Sequence, residues 1–260
     1  MSDSPNFAGF AWSISRSLLR TRRPAPAGSG TWQHDLLVEP LRRLEEQGLS
    51  SLDETDGSLR AYLDQASLAV PDELDRDEAL AFWTNVYNAG ALLLAAEARR
   101  RGDPTVLRVR GGFQRPVVTV QDESLSLDAI EHAKVRRFGD PRIHAGLVCG
   151  SISCPTLRPE PYEGSGLDES LDDQMRSMLA HGGAAADRGA GRLSLSRIFK
   201  WYGADFVRPQ GMPTFLPVSG RSVAVAVTPW LDEEVADWVR ESRPTVEFLP
   251  YDWGLACRVA

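Results

Sequence analysis

The texture of the chain changes once, at Pro104, and that change limits the architectures open to it. From Trp32 to about Arg101, apolar residues recur at helical spacing: Leu36, Leu37, Val38, Leu41 and Leu44, then Leu59, Tyr62, Leu63 and Leu68. Pro71-Asp-Glu-Leu-Asp-Arg-Asp77 is an acidic entry to a long helix from about Glu78 to Arg101. The acidic start and the Arg99-Arg100-Arg101 end complement the helix dipole, and Gly102 supplies a stop. Beyond Pro104, short strands mix with helices. Val106–Arg110 and Pro116–Val120 read as strands around a Gly111-Gly112 turn. Leu127–Arg137 reads as a helix with Asp128 and Glu131 spaced as a capping box. Arg142–Cys149 then reads as a strand, Gly166–Leu179 as an amphipathic helix, and Gly182–Gly191 as a small-residue loop. Arg192–Ser196 suggests a strand running into Arg197–Tyr202, and a helical turn over Glu233–Arg240 precedes a closing strand, Thr245–Trp253. This order predicts an α+β fold, a helical N-terminal half packed on a small mixed or antiparallel sheet built from the later part of the chain.

Residues 1–31 read as a flexible basic N-terminal extension, and 32–260 as a single α+β domain. Ser13–Arg23 has the charge of a short basic amphipathic helix, and Pro24–Gly30 has a linker's composition. A mobile tail with solubilising charges is favoured over an arm that docks on a membrane surface or a partner. The 260 residues suffice for a full core. A net charge of -7 leaves no excess of cations to neutralise phosphates, which argues against nucleic-acid binding. The longest apolar run, Ala89–Ala96, is too short to span a bilayer, and the opening residues lack the basic and apolar regions of a signal peptide. Three cysteines fit poorly with a disulfide-stapled secreted framework. The expectation is a cytoplasmic protein with reduced thiols and no cofactor, acting on a small molecule or peptide.

Chemistry concentrates in Asp140-Pro-Arg-Ile-His-Ala-Gly-Leu-Val-Cys-Gly-Ser-Ile-Ser-Cys-Pro155. If Arg142–Cys149 is extended, His144 and Cys149 point to opposite faces, roughly 16 Å apart. Cys149 is then expected to be a small buried hydrophobe, and Cys154, past the turn, is the better nucleophile. His144 or His132 would act as general base, and Asn85 or Asn88, one turn apart on the long helix, as the orienting group. A structural role for the two amides, tying the helix to loop backbone, is slightly favoured over a ligand-facing one. Arg142, Cys149, Ser151, Ser153, Trp83, Tyr87, Lys200, Trp201 and Tyr202 are the candidates for contacting a substrate. His34 and His181 read as surface groups. A Cys149–Cys154 disulfide acting as a redox switch stays open, because its geometry cannot be read from spacing. A zinc site needs two more ligands from His132, His144, Cys257 or carboxylates, and the C-x4-C spacing disfavours it, so no metal is expected.

Five ordered motifs carry a resemblance: Phe82–Asn88, Leu125–His132, Asp140–His144 with Val148–Pro155, Ile198–Tyr202 with Asp205-Phe206, and Leu249–Trp253. Together, over about residues 75–255, they resemble the family called domain of unknown function 547. That family usually has Asn where this chain has Val148. The resemblance implies a soluble domain in which Asn85, Asn88, His132, Arg142, His144, Cys149 and Cys154 converge, and it brings no established activity. The residues predict a thiol-dependent enzyme of acyl transfer or hydrolysis. The alternative is a non-catalytic binding or interaction module whose buried polar cluster is structural.

Overall fold

The computed structural model describes residues 25–209, 216–256 and 259, so the expected basic helix over Ser13–Arg23 lies outside the described residues. Three helices build the first half: α1 (Asp35–Gln47), α2 (Leu52–Ala66) and α3 (Arg76–Arg101). The start of α3 is fixed by the Asp75 side chain, which accepts the Asp77 amide at 2.9 Å. It stops where Gly102 turns left-handed (φ 69) and its N–H returns to the Ala98 carbonyl. Residues 79–92 of α3 are buried without a break. A helix apolar on every side must be wrapped by the rest of the fold, and here it is. An 18-residue window of α3 has a mean hydropathy of 1.3, which would suit a membrane span, but 94% of that window is buried in the protein, as in a core helix.

The later half is a mixture, and the fold is α+β. Strands β1 (Pro116–Val120) and β2 (Glu123–Ser126) form an antiparallel hairpin. Its Gln121 and Asp122 both have positive φ, which matches a tight turn between twisted strands. Val106–Arg110 is therefore not a partner strand. Val106–Arg108 is a single 3₁₀ turn, fixed where the Thr105 hydroxyl accepts the Leu107 amide. A helix follows the hairpin: α4 (Leu127–Ala129) runs into a π turn (Ile130–Val135) and a 3₁₀ turn (Arg136–Phe138). Ser126 caps it by accepting the Ala129 amide at 3.2 Å, so the capping residue is not Asp128. Helix α6 (Leu167–Met178) follows the short helix α5 (Ile143–Gly146). Strands β3 (Ala184–Asp187), β4 (Arg192–Leu195) and β5 (Thr245–Phe248) form the second sheet, with β3–β4 antiparallel and β4–β5 parallel. Gly182–Gly191, expected to be a loop, thus holds a strand, and only the first residues of Thr245–Trp253 pair in the sheet. Between them lie α7 (Arg197–Trp201), α8 (Gly203–Val207), α9 (Gly220–Ala226) and α10 (Glu233–Ser242).

Two apolar clusters result. One surrounds α1–α3 and the hairpin; the other joins the end of α6 to β4 and α7–α10. The short α5 lies at their seam, with Ile143 and Leu147 packed in the first cluster and Ala145 in the second.

Two expectations about the first residues change. Residues 25–31 are not a free linker: Gly28 and Gly30 donate to the Leu74 and Glu73 carbonyls at 3.0 Å, and Asp75 donates back to Gly30. A Cβ on Gly28 would sit 2.0 Å from the Glu73 carbonyl oxygen, so only glycine permits this approach. His34 is not on the surface; it is 2% exposed, with Nδ1 2.8 Å from the Tyr62 hydroxyl. His181 is exposed, as expected.

Candidate functional site

The segment expected to be a strand over Arg142–Cys149 begins as a helix. Asp140 starts the turn by accepting the Arg142 amide at 2.9 Å, and His144 donates to the Pro141 carbonyl. An Asx turn ahead of Pro141 nucleates helical geometry and overrides the strand-forming Ile and Val. The face alternation expected for His144 and Cys149 therefore does not apply. Instead, the site divides into two groups of side chains.

The first group surrounds His144. Its Nε2 lies 2.8 Å from Asp205 Oδ2, and Arg136 grips the same carboxylate with Nε and Nη2, both at 2.8 Å. The imidazole stacks on Tyr202, with ring centroids 4.0 Å apart, and the Arg136 guanidinium lies over the Tyr202 ring, 5.3 Å from its centroid. Burial alone would raise the Asp205 carboxyl; the His144 and Arg136 contacts outweigh it and hold the group below the usual carboxylate range. His132 is carried into the same region by the π turn, a helical irregularity that often marks sites. Burial pulls its pKa down to about 4, so it is neutral at pH 7. Glu131 accepts from the Tyr87 hydroxyl at 3.3 Å.

The second group is the thiol turn. Gly150 takes φ 77, which lets the chain reverse against Ala95 and Val106. The C-terminal segment clamps the turn from outside: Ile152 donates to Gly254, Ser153 to Asp252, and Ala256 to Gly150. That clamp brings Tyr251 in. Its hydroxyl lies 3.2 Å from Cys149 Sγ and 2.9 Å from Ser151 Oγ, which is itself 3.0 Å from the same sulfur. Cys154 stands behind them. Its sulfur accepts the Cys149 amide at 2.8 Å, and its side chain packs on the first apolar cluster.

These contacts reverse the expected roles of the two thiols. Hydrogen bonds from Cys154, Ser151 and Tyr251 outweigh burial and hold Cys149 below the ordinary thiol range. Burial, together with the neighbouring Cys149, drives Cys154 well above the ordinary thiol range. Cys149, expected to be an inert hydrophobe, has the stabilised thiolate. Cys154, expected to be the nucleophile, does not. Tyr87 feels charge from both groups: burial raises its phenol first, and the charges of Glu131 and Cys149 raise it further.

Other candidates serve the fold. Asn85 donates to the Tyr162 carbonyl at 2.6 Å and accepts its amide at 3.0 Å. Asn88 donates to the Gly146 carbonyl and accepts the Val148 amide, at 2.9 and 3.0 Å. Both amides thus hold loop backbone rather than an imidazole. Arg142, expected to meet substrate, is enclosed by Asp140, Asp168 and Asp172, all within 3.0 Å of its guanidinium. Trp83 is buried under Lys134, and Ser153 is tied to the Asp252 amide. Lys200 is exposed. Trp201 is 37% exposed and packs with Tyr251 and Trp253 at centroid distances of 4.9 and 5.8 Å, forming an aromatic surface beside the thiol turn. Among the described residues no group of three His, Cys, Asp or Glu side chains is placed to hold a metal ion, and Cys257 lies outside them.

Three residues that complete these groups were absent from the expected site: Asp205, Arg136 and Tyr251. Asp205 and Tyr251 sat in recognised motifs, Asp205-Phe206 and Leu249–Trp253, but nothing in spacing shows that they reach His144 and Cys149.

Residues 71–179 match the family model described as Protein of unknown function, DUF547. No curated protein and no solved structure matches the chain. The match is shorter than the expected 75–255. The matched segment contains His144, Arg136, Cys149, Ser151 and Cys154, whereas Tyr202, Asp205 and Tyr251 complete both groups from beyond its end.

Proposed function

We propose that the chain is a thiol-dependent enzyme of acyl transfer or hydrolysis in which Cys149 is the nucleophile. The observation that carries this reading is the Cys149 sulfur, held 3.0 and 3.2 Å from two hydroxyls in a partly open turn. A thiolate stabilised near neutral pH attacks carbonyl carbon without a separate deprotonation step. His144 is the proposed general base, because Asp205 fixes the orientation of its ring. The aromatic surface of Trp201, Tyr251 and Trp253 supports a small molecule or peptide whose acyl group is apolar or aromatic. Reduced thiols accord with a cytoplasmic setting.

The competing reading, a non-catalytic module, draws support from Asn85, Asn88 and Arg142, which are committed to internal contacts. One experiment separates the two. The protein is incubated with a 4-nitrophenyl ester of an aromatic acid at pH 7, and the acyl group is located by peptide mass mapping. The enzyme reading expects a thioester on Cys149, none on Cys154, and a thioester that accumulates in His144→Gln. An unmodified Cys149 in correctly folded protein would favour the module.

A further inference from the structure

We infer that Cys149 and Cys154 form a redox pair, in which a hydroperoxide converts Cys149 to a sulfenic acid and Cys154 closes it into a disulfide that shuts the site. This rests on the reading of Cys149 as the reactive thiol and concerns the regulation of that same site. Three features of the turn support it.

First, the two sulfurs are neighbours. The Cys149 amide donates to Cys154 Sγ at 2.8 Å, which sets the Cys154 sulfur against the Cys149 residue itself, and the two thiols influence each other's ionisation. A five-residue separation with a left-handed Gly150 between them lets the two side chains face each other across one turn. Second, the two thiols differ in character. Cys149 is held by hydroxyls that favour its thiolate, while Cys154 is backed by the apolar core and stays protonated. A pair so divided has one thiol that meets the oxidant and one that resolves the product. Third, Cys149 is only partly buried, so both oxidant and reductant can approach it from solvent.

The chemistry balances with a hydroperoxide as the sole co-reactant. The Cys149 thiolate attacks the terminal peroxide oxygen; the S–O bond forms, the O–O bond breaks, and the leaving oxyanion takes a proton to become water or an alcohol. Cys154 sulfur then attacks Cys149 sulfur; the S–S bond forms, the S–O bond breaks, and hydroxide leaves with the Cys154 proton as water. Two thiols are oxidised by two electrons, and the peroxide is reduced. A dithiol reverses the bond by exchange. While it persists, Ser151 and Tyr251 have no thiolate to hold and the acyl acceptor is absent.

The test uses the full chain. It is treated with hydrogen peroxide at pH 7, blocked with N-ethylmaleimide and mapped by mass spectrometry. The expected product is a Cys149–Cys154 crosslink lighter by two hydrogens, with 4-nitrophenyl ester acylation falling roughly tenfold or more and recovering with dithiothreitol. In Cys154→Ser, peroxide should leave a dimedone-reactive sulfenic acid on Cys149 and no crosslink. If that variant does not fold, the crosslink in the natural chain decides. Overoxidised Cys149 without a crosslink, or a crosslink to Cys257 instead, overturns the inference. Failure of the enzyme reading looks different: the crosslink forms, but the reduced protein takes up no acyl group.

Discussion

Two hydroxyl groups hold the Cys149 sulfur, so removing either should be legible in its titration. Tyr251→Phe deletes a hydrogen bond to a charged sulfur, an interaction of about 1.5–3 kcal/mol, and one pKa unit corresponds to about 1.4 kcal/mol. Iodoacetamide labelling of Cys149 in the natural chain should follow a midpoint below that of an ordinary thiol, and in Tyr251→Phe the midpoint should rise by about one to two units. An unchanged midpoint would mean that Tyr251 does not hold the thiolate. At this scale the sequence concealed more than it revealed. The thiols and His144 were identifiable as residue types, but their roles depend on which neighbour arrives across the fold. Tyr251 comes from 102 residues away, and Asp205 from 61 residues beyond His144. No periodicity encodes such contacts. Arg142 misled for a related reason: a cation in a site-like motif looks available until its three carboxylate partners are placed.

Among the elements, α3 has the site-forming role that its length alone does not suggest. Through Asn88 it holds both the Gly146 carbonyl and the Val148 amide, the two backbone groups that lead from α5 into the thiol turn. Asn88→Ala leaves both buried groups unpaired, at about 1–3 kcal/mol each. The expected result is a lower urea midpoint and faster hydrogen exchange at the Val148 amide, measured by NMR; a protected amide in the variant would show that the turn does not depend on α3. The long helices were readable because many residues repeat one period and the caps agree with it. The short elements were not. A four-residue helix such as α5 is decided by the Asp140-Pro141 turn, and β3 by its pairing with β4, although Ala184–Ala186 carries no strand pattern of its own. Tertiary pairing overrides local preference most easily where the local signal is shortest.

For the molecule as a whole, acid is the informative variable. His34 and His132 have pKa values pulled by burial to about 4, below the 6.5 of an unfolded histidine. The unfolded chain therefore binds more protons between those values, and stability is complete above about 6.5 and falls as pH drops toward 4. Each contributes at most about 3 kcal/mol across that window. Equilibrium urea unfolding at stepped pH should show this slope, and His132→Gln should make it shallower; a flat profile from pH 7 to 4 would contradict it. Asp205 acts at lower pH. Its folded pKa is depressed, so its stabilisation is present above the unfolded value near 3.9 and is lost as pH falls through the folded one. Asp205→Ala leaves Arg136 buried beside a missing carboxylate and should cost about 3–5 kcal/mol at pH 7, measured by the same unfolding method. The clamp by residues 251–256 has a consequence in time. A ribosome adds Cys149 roughly a hundred residues before it adds Tyr251, so the growing chain carries an ordinary cysteine, and its thiol acquires its character only when the segment bearing Tyr251 arrives.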